Sequence, residues 1–294
     1  MRASWTVLAL VACAPSAETL SSSSTGAGGA GGETGTQTNA TTSATTGGGG
    51  APPACEFPVG TTMRPRVRVI YLVPSDRTEV PLYRSTLEKT IREVQLWYEA
   101  HIDSGNTFEV HDPVVEVHTT PNPAAYYAMQ ATPSEMYYWF WDNVLTDGFA
   151  LTGGMFFDPD NVWLFYIDAD NGCGQIGGGG TSGVAVLPAN DLRGLAGEAN
   201  QPPCQGDPPD NLPRCRWVGG LGHELGHALG LGHPLGCDMP DPGGTPCDDS
   251  ALLWLGYASY PDAHFTDADQ AALAASDFIA PRRLPDCSMD CLQP

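Results

Sequence analysis

Residues 223–233 read His-Glu-Leu-Gly-His-Ala-Leu-Gly-Leu-Gly-His, and this run constrains the fold more than any other stretch of the chain. His223 and His227 are four residues apart, so an α-helix puts both rings on one face, about one turn apart. Two neutral imidazoles in that arrangement can chelate one metal ion. Glu224 follows the first of them, where a carboxylate can act on a water held by the metal. Gly230 stands where the helix must end. Glycine enters the left-handed conformation without strain, and that conformation turns the chain. The turn can bring His233 back as a third ligand, and Pro234 blocks further helix.

Three protein ligands leave one position for solvent, which marks a catalytic zinc site rather than a structural one. A metal there lowers the pKa of water toward ~7 and polarises a carbonyl, with Glu224 as general base. A helix with scattered histidines is the plainer reading, but three of the seven histidines fall on this one pattern. Gly219, Gly220, Gly222 and Gly226 each cost the helix about 0.5–1 kcal/mol relative to alanine. Leu221, Leu225, Ala228 and Leu229 form an apolar stripe that can offset this by close packing on a sheet.

The segment resembles H-E-x-x-H-x-x-G-x-x-H of the metzincin clan of zinc endopeptidases, matching every fixed position. The resemblance implies His223, His227 and His233 as zinc ligands and Glu224 as general base. Pro234 after the last ligand is most similar to the serralysin group, whose calcium-binding glycine-aspartate repeats are absent here. The clan also has a Met-turn beneath the zinc. Ala251–Tyr257 resembles one with leucine in the methionine place, at Leu253. Met239, six residues past the last ligand, is the rival. Leu253 is favoured because its apolar run can pack under the ligands, whereas Cys237 to Cys247 reads as an exposed loop. Tyr257 either stands near the metal, as a tyrosine does in some metzincins, or simply packs.

The start of the chain is of another kind. Met1–Arg2 is a short positive start, residues 3–11 are mostly apolar, and Leu10-Val11-Ala12-Cys13 resembles a bacterial lipobox. Residues 1–13 are therefore expected to be a lipoprotein signal with Cys13 as the acylated residue. An ordinary secretory signal is the alternative. Residues 14–54 are almost all Ser, Thr, Gly and Ala, which cannot bury enough surface to fold and read as a tether. At ~5–6 Å × √n, such a tether holds a domain roughly 35 Å from its anchor.

Eight cysteines remain after Cys13, and an even count in an exported chain suggests disulfides. Short-range closure favours Cys204–Cys215, Cys237–Cys247 and Cys287–Cys291, leaving Cys55–Cys173. The formal charge of −21 argues against nucleic acid and against an electrostatic grip on anionic lipid. Calcium is a further candidate without a motif. Asp158, Asp160, Asp168 and Asp170 cluster around one strand, and Asp238, Asp241, Asp248 and Asp249 lie in the cysteine loop. None has calcium-loop spacing, and solvated loop carboxylates explain them better.

From Cys55 onward, apolar periodicity predicts a strand at 66–73, a helix at 81–101 with Leu87, Ile91, Val94 and Tyr98 on one face, and a strand at 108–117 broken near Pro113. A helix at 133–145 capped by Ser134, a central strand at 162–167, a short strand at 183–187 and the metal helix at about 217–229 follow. Residues 190–214 read as a polar, proline-rich loop, and 265–276 as a helix with Thr266 as cap and Asp269 three residues on. His101, His111, His118 and His264 read as surface or packed histidines.

The expected fold is α+β: a metzincin-like zincin with a twisted mixed sheet, an antiparallel edge strand, two long helices including the metal helix, and a small C-terminal subdomain. Residues 55–294 are expected to be one catalytic domain, with an upper part at 55–233 and a lower part at 234–294. In the family, the short strand before the metal helix is an edge that pairs with extended substrate. Gly183, Val184, Ala185 and Val186 fit that place, or an ordinary edge strand. The resemblance implies a zinc endopeptidase acting on protein or peptide outside the cytoplasm. It would be monomeric, and either attached to the outer membrane or cell surface through its lipid or secreted. A zinc hydrolase of a non-protein amide such as peptidoglycan, and a non-catalytic zinc-stabilised module, are the alternatives.

Overall fold

A computed structural model of the chain describes residues 57, 59–129, 137–200, 204, 212–238, 240–282, 284, 285, 287 and 291. The expected leader with Cys13, the tether at 14–54, Ser134 and Met239 lie outside these residues. The elements in chain order are β1 (Arg66–Val73), α1 (Pro81–His101), β2 (Asn106–Thr107), β3 (Val110–Thr119), α2 (Ala124–Tyr127) and α3 (Trp139–Thr152). Next come β4 (Asn161–Ile167), β5 (Gly179–Thr181), β6 (Val184–Leu187), α4 (Ala189–Leu195) and α5 (Arg214–Ala228). A 3-10 turn at Gly256–Ser259, α6 (Asp267–Ala274) and β7 (Ala280–Pro281) complete the list.

Five strands form one sheet in the order β3-β1-β4-β6-β5, and β2 pairs with β7 in a separate ribbon. The pairs β1–β3, β1–β4 and β4–β6 are parallel, while β5 runs antiparallel to β6. Helices cover both faces. Val69, Tyr71, Leu164, Tyr166, Ala185 and Leu187 join one core with α1, α4 and α5. Ile70, Leu72, Trp163, Phe165, Val184 and Val186 join another with α3. A strand buried on both faces needs apolar residues at every position, hence the unbroken run Val162–Ile167. The expected mixed sheet with an antiparallel edge and two long helices is present.

Several elements differ from expectation. α3 begins at Trp139 and ends on left-handed Gly153 (φ 73°), later than the expected 133–145. The expected strand at 108–117, broken near Pro113, is the continuous strand β3, and a separate two-residue strand, β2, precedes it. The β1–β3 register shifts between Val67 and Val69, opposite the stretch holding Pro113, and β3 is an edge where a residue without N–H is tolerated. The expected loop at 190–214 contains α4, started by Pro188 and turned by Gly197 (φ 74°). α5 begins at Arg214, three residues early, after Pro213.

The cysteines pair as Cys173–Cys204, Cys215–Cys291 and Cys237–Cys247, and Cys287 is disulfide-bonded too. Only the Cys237–Cys247 expectation holds. Tertiary packing overrides local closure: Arg214 pairs with the fully buried Glu93 of α1 (3.0 Å), and Glu93 accepts from the Cys291 N–H (2.6 Å), which brings Cys291 to Cys215. These bonds fit maturation outside the reducing cytoplasm. Among the described residues no helix is long and apolar enough to cross a membrane.

Candidate metal centre

α5 carries His223 and His227 toward a common point, and its C-terminus is built to return His233 there. Gly230 has φ 96°. The Gly230 N–H donates to the His227 carbonyl (3.0 Å) and the Leu231 N–H to the Gly226 carbonyl (3.0 Å). This is a Schellman closure with glycine in its left-handed position. The Ala228 carbonyl takes the N–H of Gly183 (3.0 Å), so the β5–β6 turn also caps this helix.

The three rings face one another. One nitrogen from each of His223, His227 and His233 lies within 4.8 Å of the others. Each ring is aimed through its Nδ1. His223 Nδ1 donates to the Leu252 carbonyl (2.7 Å), His227 Nδ1 to the Leu231 carbonyl (2.9 Å), and His233 Nδ1 to both oxygens of Asp238 (2.8 Å each). These acceptors hold no proton to give, so the hydrogen sits on Nδ1 and Nε2 is a bare lone pair. The Nε2 atoms of His223 and His227 are 3.0 Å apart. Burial keeps both rings neutral. It holds His227 down to about 4 and His223 well below its ordinary value. Two lone pairs at that distance repel unless a cation stands before them, so the donor set fits a zinc-type ion.

The segment after the third histidine lies under this cluster. Leu253 is fully buried, and a Cβ on Gly226 would stand 2.9 Å from its Cδ1. Leu252 supplies the carbonyl for His223, and the Trp254 ring is 5.1 Å from that of His233. Tyr257 meets His223 edge to face at 5.0 Å. The glycines of α5 let this segment approach. A Cβ on Gly219 would overlap the Tyr257 carbonyl oxygen, and one on Gly222 would touch Leu252 at 3.7 Å. The α5 glycines thus admit the lower segment, rather than the sheet that the apolar stripe suggests.

Glu224 keeps some exposed surface, yet protein surrounds its carboxylate. Burial, then the charge of Asp191, push it up to about 8 in the metal-free site, while Arg216 pulls the other way. Its Oε1 lies 3.7 Å from where a Cβ of Gly178 would stand. A Cβ on Gly180 would overlap the Glu224 carbonyl oxygen and stand 3.0 Å from His227 Cβ. The glycine run is therefore a strand that runs against the helix backbone.

The expected edge strand requires correction. Val184–Leu187 is buried and paired on both sides, by β4 and by β5, so Gly183, Val184, Ala185 and Val186 present no unpaired edge. The edge is β5, Gly179–Thr181, one hairpin earlier. Ser182 (φ 51°) and Gly183 (φ 88°) make the two-residue turn between them. Gly183 lies in that turn and ties it to α5.

Sequence reasoning places Asp238 only among the loop carboxylates; the signal for its role is its position directly after Cys237 in a disulfide loop of separation ten. The other acidic residues are engaged by protein groups. Asp158 accepts from Asn161 and Trp163, Asp160 and Asp168 pair with Arg64 and Arg77, and Asp170 pairs with Arg193. Asp241 accepts from Gly243 and Thr245, and Asp248 from Ser250 and His264. Asp249 lies 3.4 Å from the Cys247 sulfur. His101 stacks on Trp97 and His111 lies beside Glu116. The metal-capable group found among the described residues is the triad.

No family model and no curated protein matches this chain. Solved structures do. Wild-type OgpA from Akkermansia muciniphila is 20% identical with TM-score 0.46, over 76% of this chain and 64% of that one. Archaemetzincin from Methanopyrus kandleri is 17% identical with TM-score 0.36, over 70% and 94%. Metalloproteinase-II from Bacteroides fragilis is 14% identical with TM-score 0.36, over 76% and 57%. The match thus spans less than two thirds of the OgpA and metalloproteinase-II chains.

Proposed function

We propose that this chain is a zinc-dependent endopeptidase that cleaves polypeptide outside the cytoplasm. The observation that carries the reading is the convergence of three imidazoles, each ring held by an Nδ1 hydrogen bond, with Glu224 next to His223 on the same helix. His223, His227 and His233 would hold the ion. When bound, zinc supplies Lewis acidity, which lowers the pKa of water and polarises an amide carbonyl.

The chain's own residues do the rest. Glu224 takes the proton of the attacking water on a carboxylate oxygen and passes it to the leaving amine. The Leu252 and Leu231 carbonyls and Asp238 keep the imidazoles oriented, so no rearrangement is needed as charge develops. β5 offers its unpaired edge to an extended peptide, which would add as another strand beside Glu224. Glycines at 178 and 180 let this strand lie against Glu224. Tyr257 packs edge to face on His223. Residues 55–294 would be the catalytic domain, and Cys13 its lipid-bearing anchor.

The test uses the purified full chain, zinc-loaded or chelated, with a peptide library and with purified murein. Internal peptide bonds should be cut, the activity should vanish on chelation, and zinc should restore it. Cleavage of murein with no peptide cut would replace this reading by a cell-wall amidase, and a zinc-replete protein inert on both would leave a structural module.

A further inference from the structure

Nine of the ten described arginines donate a hydrogen bond or join an ion pair, from Arg64 with Asp160 to Arg282 with Glu109. Arg216 is the tenth. Among the described residues its contacts are with two aromatic rings: its Cζ lies 4.4 Å from the Trp217 ring and 4.8 Å from the Tyr257 ring. Stacking occupies the faces of a guanidinium and leaves its five N–H donors, which lie in the plane, unspent. A half-buried guanidinium with donors free of protein partners can receive an anion.

Its position ties it to the metal centre. Arg216, Gly219, Gly220 and His223 recur at helical spacing and share one face of α5. Gly219 and Gly220 put no side chain on that face. A Cβ on Gly220 would stand 3.1 Å from Arg216 Nη1, so glycine leaves the guanidinium its room. The carboxylate of Asp191 also borders Gly220, at 3.8 Å from that Cβ position. Tyr257 walls the whole stretch, since its ring touches Arg216 at one end and His223 at the other. Seven helical residues span about 10 Å, which is roughly three residues of extended peptide.

We propose that Arg216 is a specificity-determining residue that receives a substrate carboxylate on the Tyr257 side of the metal, within three residues of the bond cleaved. This rests on the peptidase reading above. At a formal charge of −21 the protein repels acidic peptides at long range, so any preference for them must come from this local cation. The carboxylate can come from an Asp or Glu side chain or from the substrate's own C-terminus.

The experiment compares kcat/KM of zinc-loaded wild type, Arg216→Gln and Arg216→Lys on matched peptides. One set places Asp or Glu against Asn or Gln at each of the three positions on either side of the cut. Another compares a free with an amidated C-terminus. Wild type should prefer the carboxylate at one position by roughly tenfold to a hundredfold. Arg216→Gln should lose that preference mainly through KM, Arg216→Lys should recover part of it, and Arg216→Glu should favour a basic group at the same position. Zinc content should be equal in all, which separates recognition from misfolding. Cleavage of acidic and neutral peptides alike by wild type, or a preference unchanged in Arg216→Gln, overturns the inference alone. A zinc-loaded wild type that cuts no peptide overturns the peptidase reading and this one with it.

Discussion

His233 donates its Nδ1 hydrogen to both carboxylate oxygens of Asp238, at 2.8 Å each, whereas His223 and His227 rest on backbone carbonyls. The one triad histidine outside the helix thus has the one charged support. A carboxylate makes the imidazole more basic and fixes a ring that no helix holds. Asp238→Asn keeps an acceptor but removes the charge, and zinc affinity should fall roughly 10–100-fold. Competition titration with a zinc chelator checks this. Asp238→Ala should lose more, because the ring is then unanchored as well.

In the proposed reaction Glu224 would act as general base without holding the ion. Glu224→Gln should retain zinc by metal analysis yet lower turnover on a cleaved peptide by roughly a hundredfold to ten-thousandfold, the range for a lost general base. Turnover within a few-fold of wild type would remove the carboxylate from the mechanism.

Leu253 fills the space under the triad, fully buried against Gly226. Leu253→Ala should cost about 2–5 kcal/mol, the range for truncating a buried leucine. Leu253→Met, nearly equal in volume, should cost less than about 1.5 kcal/mol and keep activity. Denaturant unfolding of the two variants measures the difference.

What sequence showed and what it hid follow from how local each signal is. Pro81 at the first turn and Leu87, Ile91, Val94 and Tyr98 at helical spacing fix α1 without reference to the rest of the chain. Thr266 and Asp269 form a capping box inside four residues, and α6 starts there. The triad was legible because its ligands fall within one helix and one glycine turn. The edge strand was not. Gly177–Gly180 has no strand propensity and reads as a loop, because its partner surface is the backbone of α5, about 45 residues on in sequence. The disulfides failed for the same reason: Cys215 meets Cys291 through the buried Arg214–Glu93 pair. Arg216 showed no pattern at all, since Tyr257 reaches it from a different element.

β5 tests that packing directly. A Cβ on Gly180 would overlap the Glu224 carbonyl oxygen and crowd His227. Gly180→Ala should push the edge strand off the helix and destabilise by about 1–3 kcal/mol, the overpacking range. Peptide cleavage should fall further than zinc binding, because the ligands stay on α5 while the strand beside Glu224 moves. Equal loss of both would mean that the strain reaches the triad.

The metal-free protein should carry the pH signature of its own site. Burial holds His227 at about 4, against 6.5 in the unfolded chain, and holds His223 well below 6.5. The unfolded rings therefore take up protons first, and stability falls as pH drops from 6.5 towards 4. Glu224 works in the other direction. Burial, then Asp191, raise it from 4.5 to about 8, so between those values the folded carboxyl keeps a proton that the unfolded one has released. Stability from this group is full below 4.5 and falls as pH climbs to 8. Two histidines rising against one carboxyl falling keep the net slope upward to pH 6.5, so the maximum lies near 6.5, with decline toward 8 above it. A bound dication favours the ionised carboxylate, so zinc should abolish the alkaline decline. Thermal unfolding from about pH 4 to 9, in chelator and in zinc, reads both arms. A chelated protein whose stability kept rising to pH 8 would show that Glu224 is solvated rather than enclosed, and the carboxylate would then lose its claim to a desolvated site beside the triad.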